Sequence, residues 1–303
     1  MIVLKDVSKQ LQGKEILHDI SFHIAENEKV GIIGLNGAGK TTLLNVISGM
    51  LKPDTGFIRV GGAENVLESD EVRRQFAYVS GTKSQLWEDI KVKDSFEHCM
   101  EMYHIAKEEA AKRLEELTDV FEIESVLNKL PGNLSLGERM RCELVYALLI
   151  EPKILLLDEA MIGLDVSIKH KIMQYFSKTW KTKKVTIVYT SHNLAEIEKL
   201  CDRVLLIDHG KMIFDGSVDR IMREFSPLYH MEIKTGEKIP DFEDMPFEKL
   251  CIEKELLHIV YDNQKIDTAQ ILKHILEKSK VLDVRLFEPD LEGTIKKIYE
   301  RTE

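Results

Sequence analysis

Apolar and polar positions alternate from Ile2 to Ser8 and again from Ile20 to Ile24. That period of two predicts antiparallel strands with one wet face, turned by Gln12-Gly13-Lys14-Glu15. Lys29 to Ile33 is a short apolar run of strand type. Thr41 to Met50 carries apolar residues at 43, 44, 46 and 47, the spacing of a helix face. Lys52-Pro53-Asp54-Thr55-Gly56 predicts a turn into a strand at Phe57 to Val60, and Phe76 to Val79 predicts another. Val92 to Leu117 predicts helices broken near Ile105 to Lys107. A further helix opens at Ser135 and runs to Ile150, where Pro152 stops it.

Lys153 to Glu159 shows no alternation, which predicts a central parallel strand buried on both faces. A helix (Ser167 to Trp180), a strand (Val185 to Thr190), a helix (Leu194 to Leu200) and a strand (Arg203 to Asp208) follow. Lys211 to Phe214 closes a hairpin after His209-Gly210. This alternation predicts an α/β layered core. Past Phe225 the pattern shortens, and residues 226 to 250 are rich in proline and charge. Strands are expected at Tyr229 to Lys234, Lys249 to Glu253, Leu257 to Tyr261 and Val281 to Phe287. Helices are expected at Asp267 to Lys278 and Leu291 to Arg301. The chain therefore divides into residues 1–224 and an accessory α+β domain, residues 225–303, large enough for a modest core.

Between the strand at Lys29 and the helix at Thr41 lies Gly34-Leu35-Asn36-Gly37-Ala38-Gly39-Lys40-Thr41, which fits G-x-x-x-x-G-K-[ST]. Glycines there let backbone N–H groups ring a phosphate, and the helix start adds a positive dipole end. Lys40 would reach the β- and γ-phosphates, and the Thr41 hydroxyl would face Mg²⁺. Polar residues also top the other buried strands, where open α/β sheets bind ligands. Asp158 is placed to hold the metal, and Glu159 to polarise a water for attack on the γ-phosphate. An acidic helix cap is the plainer alternative for this pair. Thr190-Ser191-His192 brings a histidine to the same edge. Leu134-Ser135-Leu136-Gly137-Glu138 opens a helix, where Ser135 is an N-cap and the helix start is also an anion site.

The 303 residues carry a net charge of −10, which argues against non-specific nucleic-acid binding through a basic face. No apolar run approaches the ~18 residues that span a bilayer. Cys99, Cys142, Cys201 and Cys251 are widely separated and read as buried free thiols rather than metal ligands.

Taken jointly, these motifs resemble those of the ATP-binding cassette family. Leu134-Ser135-Leu136-Gly137-Glu138-Arg139 is similar to its LSGGQ signature, Gly163-Leu164-Asp165 to its D-loop, and His192 to its switch histidine. The resemblance covers residues 1 to about 222. It implies a P-loop NTPase cassette with a mixed sheet core, an antiparallel β subdomain and a helical signature subdomain. It carries nucleotide contacts onto Gly34, Asn36, Gly37, Ala38, Gly39, Lys40, Thr41 and Thr42, with Ser135, Gly137 and Glu138 reaching the ATP of a second cassette. Mg²⁺ falls to Thr41 and Asp158, and catalysis to Glu159 and His192. The implied protein is a cytoplasmic ATPase on the inner membrane face, pairing head to tail and driving a separate transmembrane permease. The LSLG variant, Ser84-Gln85-Leu86-Trp87 and Leu200-Cys201-Asp202-Arg203-Val204 resemble the branch serving drug, antibiotic or polysaccharide exporters.

The sequence departs from that family in four places. No aromatic residue stands near Leu11 to stack on adenine. Thr82 occupies the Q-loop glutamine position, with Gln85 the nearest substitute. Glu138 replaces the signature glutamine, and Ala160 replaces the proline after Asp-Glu. The permease contact is expected around Lys83 to Asp89 through Leu86 and Trp87, against the alternative that Trp87 packs inside the cassette. A soluble cassette ATPase acting on a macromolecular complex and a P-loop kinase are the rival readings. The kinase leaves the LSLGE sequence unexplained.

Overall fold

The computed structural model describes residues 1–302 except 82, 226–227, 237–241, 243–244, 264 and 288–290, and the side chains of 181, 297 and 300–302. Two compact units divide at Gly216/Ser217, eight residues before the boundary expected from composition.

The first unit opens with the antiparallel strands β1 (Ile2–Leu11) and β2 (Lys14–Ile24). β3 (Lys29–Ile33), α1 (Lys40–Ile47), β4 (Thr55–Val60) and a single-turn α2 (Asp70–Arg73) follow. β1 pairs with both β2 and β4 to give a three-stranded sheet. The alternation read along β1 and β2 buries Ile2, Leu4, Val7, Leu17, Ile20 and Ile24 in one cluster with Leu43, Leu44 and Ile47 of α1.

β5 (Phe76–Ser80), α3 (Val92–Met102), α4 (Lys107–Phe121), α5 (Leu136–Leu149), β6 (Ile154–Asp158), α6 (Val166–Thr182), β7 (Thr186–Thr190), α7 (Leu194–Leu200), β8 (Arg203–Asp208) and β9 (Lys211–Ser217) complete the unit. The larger sheet has the order β5-β6-β7-β3-β8-β9. Every residue of β6 and β7 is buried, as their unbroken apolar runs require. The break between α3 and α4 falls at Tyr103–Ala106, where His104 takes a left-handed φ of 55°. Arg203 ties four segments together. Its guanidinium donates to both carboxylate oxygens of Asp215 at 2.6 and 2.7 Å, to Glu28 Oε1 at 2.9 Å and to the His23 carbonyl at 2.9 Å.

The second unit holds α8 (Val218–Phe225), β10 (Leu228–Thr235), β11 (Phe247–Glu253), β12 (Leu256–Asp262), α9 (Thr268–Lys278), β13 (Val281–Phe287) and α10 (Leu291–Thr302). Its sheet has the order β11-β12-β10-β13, and its three pairings are antiparallel. Met231, Ile233, Leu257, Ile259 and Tyr261 form its core with Ile271 and Ile275 of α9. α8 was not anticipated as a separate helix. Gly216 precedes it and Pro227 follows it, but its eight residues carry too short an apolar pattern to stand out.

Replacing Arg203 with alanine would leave the Asp215 and Glu28 carboxylates without their guanidinium. We expect a loss of about 1–3 kcal/mol, measured by urea denaturation. Arg203→Lys should lose part of this, because an ammonium cannot make the two parallel bonds to Asp215.

Candidate active site

Strands β6, β7 and β3 are neighbours, so their C-terminal ends lie side by side. Register aligns Asp158 with Thr190 and Thr190 with Ile32, one row across the sheet. The P-loop leaves β3 at this row. Gly39 caps α1 with φ 105°, and a Cβ there would meet Leu17 Cδ2 at 2.9 Å and the Ile16 carbonyl at 3.1 Å. Only glycine satisfies both the backbone and the space. Asn36, Gly37 and Thr41 are exposed, and Gly34 and Thr42 are half-buried.

Lys40 is 7% exposed, and its ammonium donates to the carbonyls of Gly34 at 2.8 Å and Leu35 at 3.1 Å. The loop thus curls around the end of its own lysine. Burial pulls Lys40 below the usual lysine range, and the Glu159 and Asp158 carboxylates oppose that shift. Lys40 is the first residue of α1, so its side chain starts from the helix N-terminus, where anions are favoured.

Asp158 is buried, and its Oδ1 accepts from the Thr190 hydroxyl at 2.6 Å. Tyr78 OH lies 3.4 Å from Oδ2, and burial together with that carboxylate pushes the Tyr78 phenol well up. Glu159 adopts a left-handed φ of 54°, and its N–H donates to the Thr190 carbonyl at 3.1 Å. Its carboxylate Oε1 lies 2.7 Å from His192 Nε2. The helix-cap alternative for this pair does not hold. Asp165 caps α6, accepting from the Ile168 N–H at 3.0 Å. The histidine loop is held from below by Glu196, whose Oε2 accepts from Tyr189 OH at 2.5 Å and Ser191 OH at 2.6 Å. Lys169 of α6 stands 2.8 Å from its other oxygen. An open cavity of about 230 Å³ lies among Glu159, Ile162, Gly163, Lys169 and His192.

Ser135 caps α5 in a full capping box. Its hydroxyl accepts from the Glu138 N–H at 3.2 Å, and Glu138 Oε2 accepts from the Ser135 N–H at 2.8 Å. The Lys129 ammonium, 2.9 Å from Glu138 Oε1, and the Ser135 N–H hold the Glu138 carboxyl down to about 2. Gly137 faces the D-loop so closely that a Cβ would lie 2.5 Å from the Gly163 carbonyl, and Leu164 flanks the same spot.

Thr82 lies outside the described residues. The Gln85 amide donates to the Tyr78 carbonyl at 2.8 Å, so its side chain is committed to β5. The expected surface pair splits: Leu86 is buried, and Trp87 is 51% exposed, edge-on to His98 at 4.7 Å. Leu11, at the end of β1, is half-buried.

The family described as "ABC transporter" matches residues 17–162. The ABC transporter ATP-binding protein NatA of Bacillus subtilis is 32% identical over 225 residues, covering 73% of this chain and 91% of that protein. This chain belongs to the ABC transporter ATP-binding proteins. The methionine import ATP-binding protein MetN of Clostridium acetobutylicum is 31% identical over 244 residues, 80% of this chain and 76% of that protein. A solved ATP-binding subunit of an ABC transporter superposes with a TM-score of 0.67 at 31% identity, covering 74% of this chain and 92% of that one. The cassette MJ0796, solved as a dimer in a post-hydrolysis state bound to ADP and Pi, gives 0.65 at 26% identity, over 72% and 99%. The fold is that of an ABC cassette, and the chain is an ATPase of this family using ATP and Mg²⁺. Among the described residues no helix is long and apolar enough to cross a membrane.

The capping box gives a pH prediction. Because Glu138 is depressed in the folded chain, its contribution to the α5 start is full above the ordinary Glu range and fades as pH falls toward about 2. An NMR titration of Glu138 should show this low midpoint, and Lys129→Ala should move it upward.

Proposed function

We propose that this chain is the ATP-hydrolysing subunit of a transporter, acting as a head-to-tail pair on the cytoplasmic face of a separate membrane subunit. The observation that carries the reading is the Glu159–His192 contact at 2.7 Å beside the lysine-filled P-loop. Lys40 and the α1 N-terminus bind the β- and γ-phosphates, with Asn36, Gly37, Ala38 and Thr42 completing the loop. The hard-oxygen pair of Thr41 and Asp158 suits Mg²⁺, which neutralises phosphate charge when bound. Thr190 holds the Asp158 carboxylate in place through its hydroxyl.

Glu159 accepts the proton of the attacking water. His192 orients that carboxylate and reaches the γ-phosphate. Ser135 and Gly137 of one cassette close on the nucleotide of the other, supplying helix-start charge present only in the pair. Asp165 and Leu164 line the same junction. Trp87 is the apolar anchor offered to the membrane subunit. The export direction rests on the LSLG signature and the Ser84–Trp87 sequence. Residues 217–303 are an accessory domain that supports pairing or regulates it.

Three measurements test this reading. Glu159→Gln should retain ATP binding and lose ~10²–10⁴-fold in turnover, with a longer-lived dimer on gel filtration in ATP. Turnover near that of the parent would overturn the assignment. Gln85→Ala should change ATPase little, since its amide is spent on Tyr78; a large loss would give it the metal-side function. Co-purification of the tagged full chain with a polytopic membrane protein checks transport, and recovery with a ribosome or another soluble complex would refute it.

A further inference from the structure

Glu143 lies two turns into α5, 1% exposed, at a position where the helix needs only apolar volume. A buried carboxylate is costly unless its oxygens are bonded. Here two consecutive residues serve it. Ser84 OH donates to Oε1 at 2.5 Å, and the Gln85 N–H reaches Oε1 and Oε2 at 3.1 and 2.9 Å. The Leu86 N–H donates to Ser84 Oγ at 3.2 Å, which closes the turn on the hydroxyl that serves the carboxylate.

The turn that Glu143 grips is anchored on both sides. The Gly81 N–H donates to the Asp158 carbonyl at 3.1 Å, placing one end on the strand that carries the acidic pair. The Gln85 amide is bonded to β5. The Trp87 N–H donates to Ser95 Oγ of α3 at 3.2 Å. Leu86 is buried between these anchors and Trp87 is exposed just beyond them. The capped Ser135 end of α5 and the exposed indole of Trp87 are therefore joined through one helix and one carboxylate.

We infer that Glu143 is a positioning residue that makes α5 and the 84–87 turn move as one piece, so that nucleotide engagement at the phosphate site is transmitted to Trp87. The inference rests on the nucleotide site proposed above. A well-packed apolar residue at 143 would serve the fold as well, since replacing buried charge by matched apolar volume is often neutral. It would leave the Gln85 N–H without its acceptor and the Ser84 hydroxyl with the Leu86 carbonyl at 3.5 Å, and the turn free of the helix.

The chain has two tryptophans, Trp87 and Trp180, and Trp180 is buried in a stack on Phe176. In the full chain carrying Trp180→Phe, Trp87 emission is recorded with and without saturating MgATP, and affinity is measured separately with a fluorescent ATP analogue. The parent should respond to MgATP. Glu143→Gln, which turns one acceptor into a donor facing the Gln85 N–H, and Ser84→Ala should each remove at least about half of the response, and Glu143→Ala all of it. Affinity for the analogue should stay unchanged in every variant. If Glu143→Ala does not fold by circular dichroism, the two milder variants decide. A parent that binds the analogue with no Trp87 response, or variants that respond as the parent does, would overturn the inference alone. A parent that binds no nucleotide would overturn the nucleotide site and this inference together.

Discussion

The parallel register of β6, β7 and β3 is the constraint on which the rest depends. It sets Asp158 opposite Thr190 and Thr190 opposite Ile32, the residue two before the P-loop. Side-chain direction alternates along a strand, so a slip of one residue would turn Asp158 away from the Thr190 hydroxyl and toward the other face. β6 and β7 are buried along their whole length, and burial on both faces leaves the register little freedom. Glu159 then departs from the strand with a left-handed φ, a conformation that costs a non-glycine residue roughly 1–2 kcal/mol. The return on that strain is a carboxylate turned onto His192, and such strain is commonly kept at functional positions.

Charge is arranged around this row with the same economy. The chain is acidic overall, yet the phosphate end of α1 carries a buried ammonium and a helix N-terminus. Lys40 sits on two loop carbonyls with Asp158 and Glu159 near enough to hold its charge against burial. In the proposed site a triphosphate would bring its own oxygens to replace those carbonyls, so binding would exchange hydrogen bonds rather than create a buried charge from nothing.

Most of the fold was legible because it obeys simple periods. β1, β2, β6, β7 and β8 follow from alternation or from unbroken apolar runs, and Ser135 caps α5 as its residue type suggests, whereas Asp165 and Asp267 cap helices whose starts the pattern set at Ser167 and at Asp267 itself. Three things were not legible. α8 is too short for its period to stand out, which put the boundary eight residues late. Leu86 and Trp87 look alike as an apolar pair, and only the three-dimensional turn buries one and exposes the other. Glu143 and Glu196 carry no signal in the sequence, because hydrophobic periodicity treats a lone acid as surface. Their donors, Ser84 and Ser191 with Tyr189, lie on other segments, so no local pattern joins them.

The start of α5 shows why a cap and an anion site can share four residues. A helix opens with N–H groups that have no partner in the helix itself. The capping box takes up those of Ser135 and Glu138, one on each side of the turn. Those of Leu136 and Gly137 are the pair the box does not use. Glu138 would repel a phosphate if its charge faced outward alone, but its two oxygens are spent on Lys129 and on the Ser135 N–H. Gly137, pressed against the Gly163 carbonyl, ties this pair of N–H groups to the D-loop, where any side chain would force the two apart. The substitution of glutamate for glutamine in the signature is thus compatible with phosphate at the same helix end, because Lys129 balances the added charge. In the proposed pair, that balanced helix start is what one cassette would present to the nucleotide of the other.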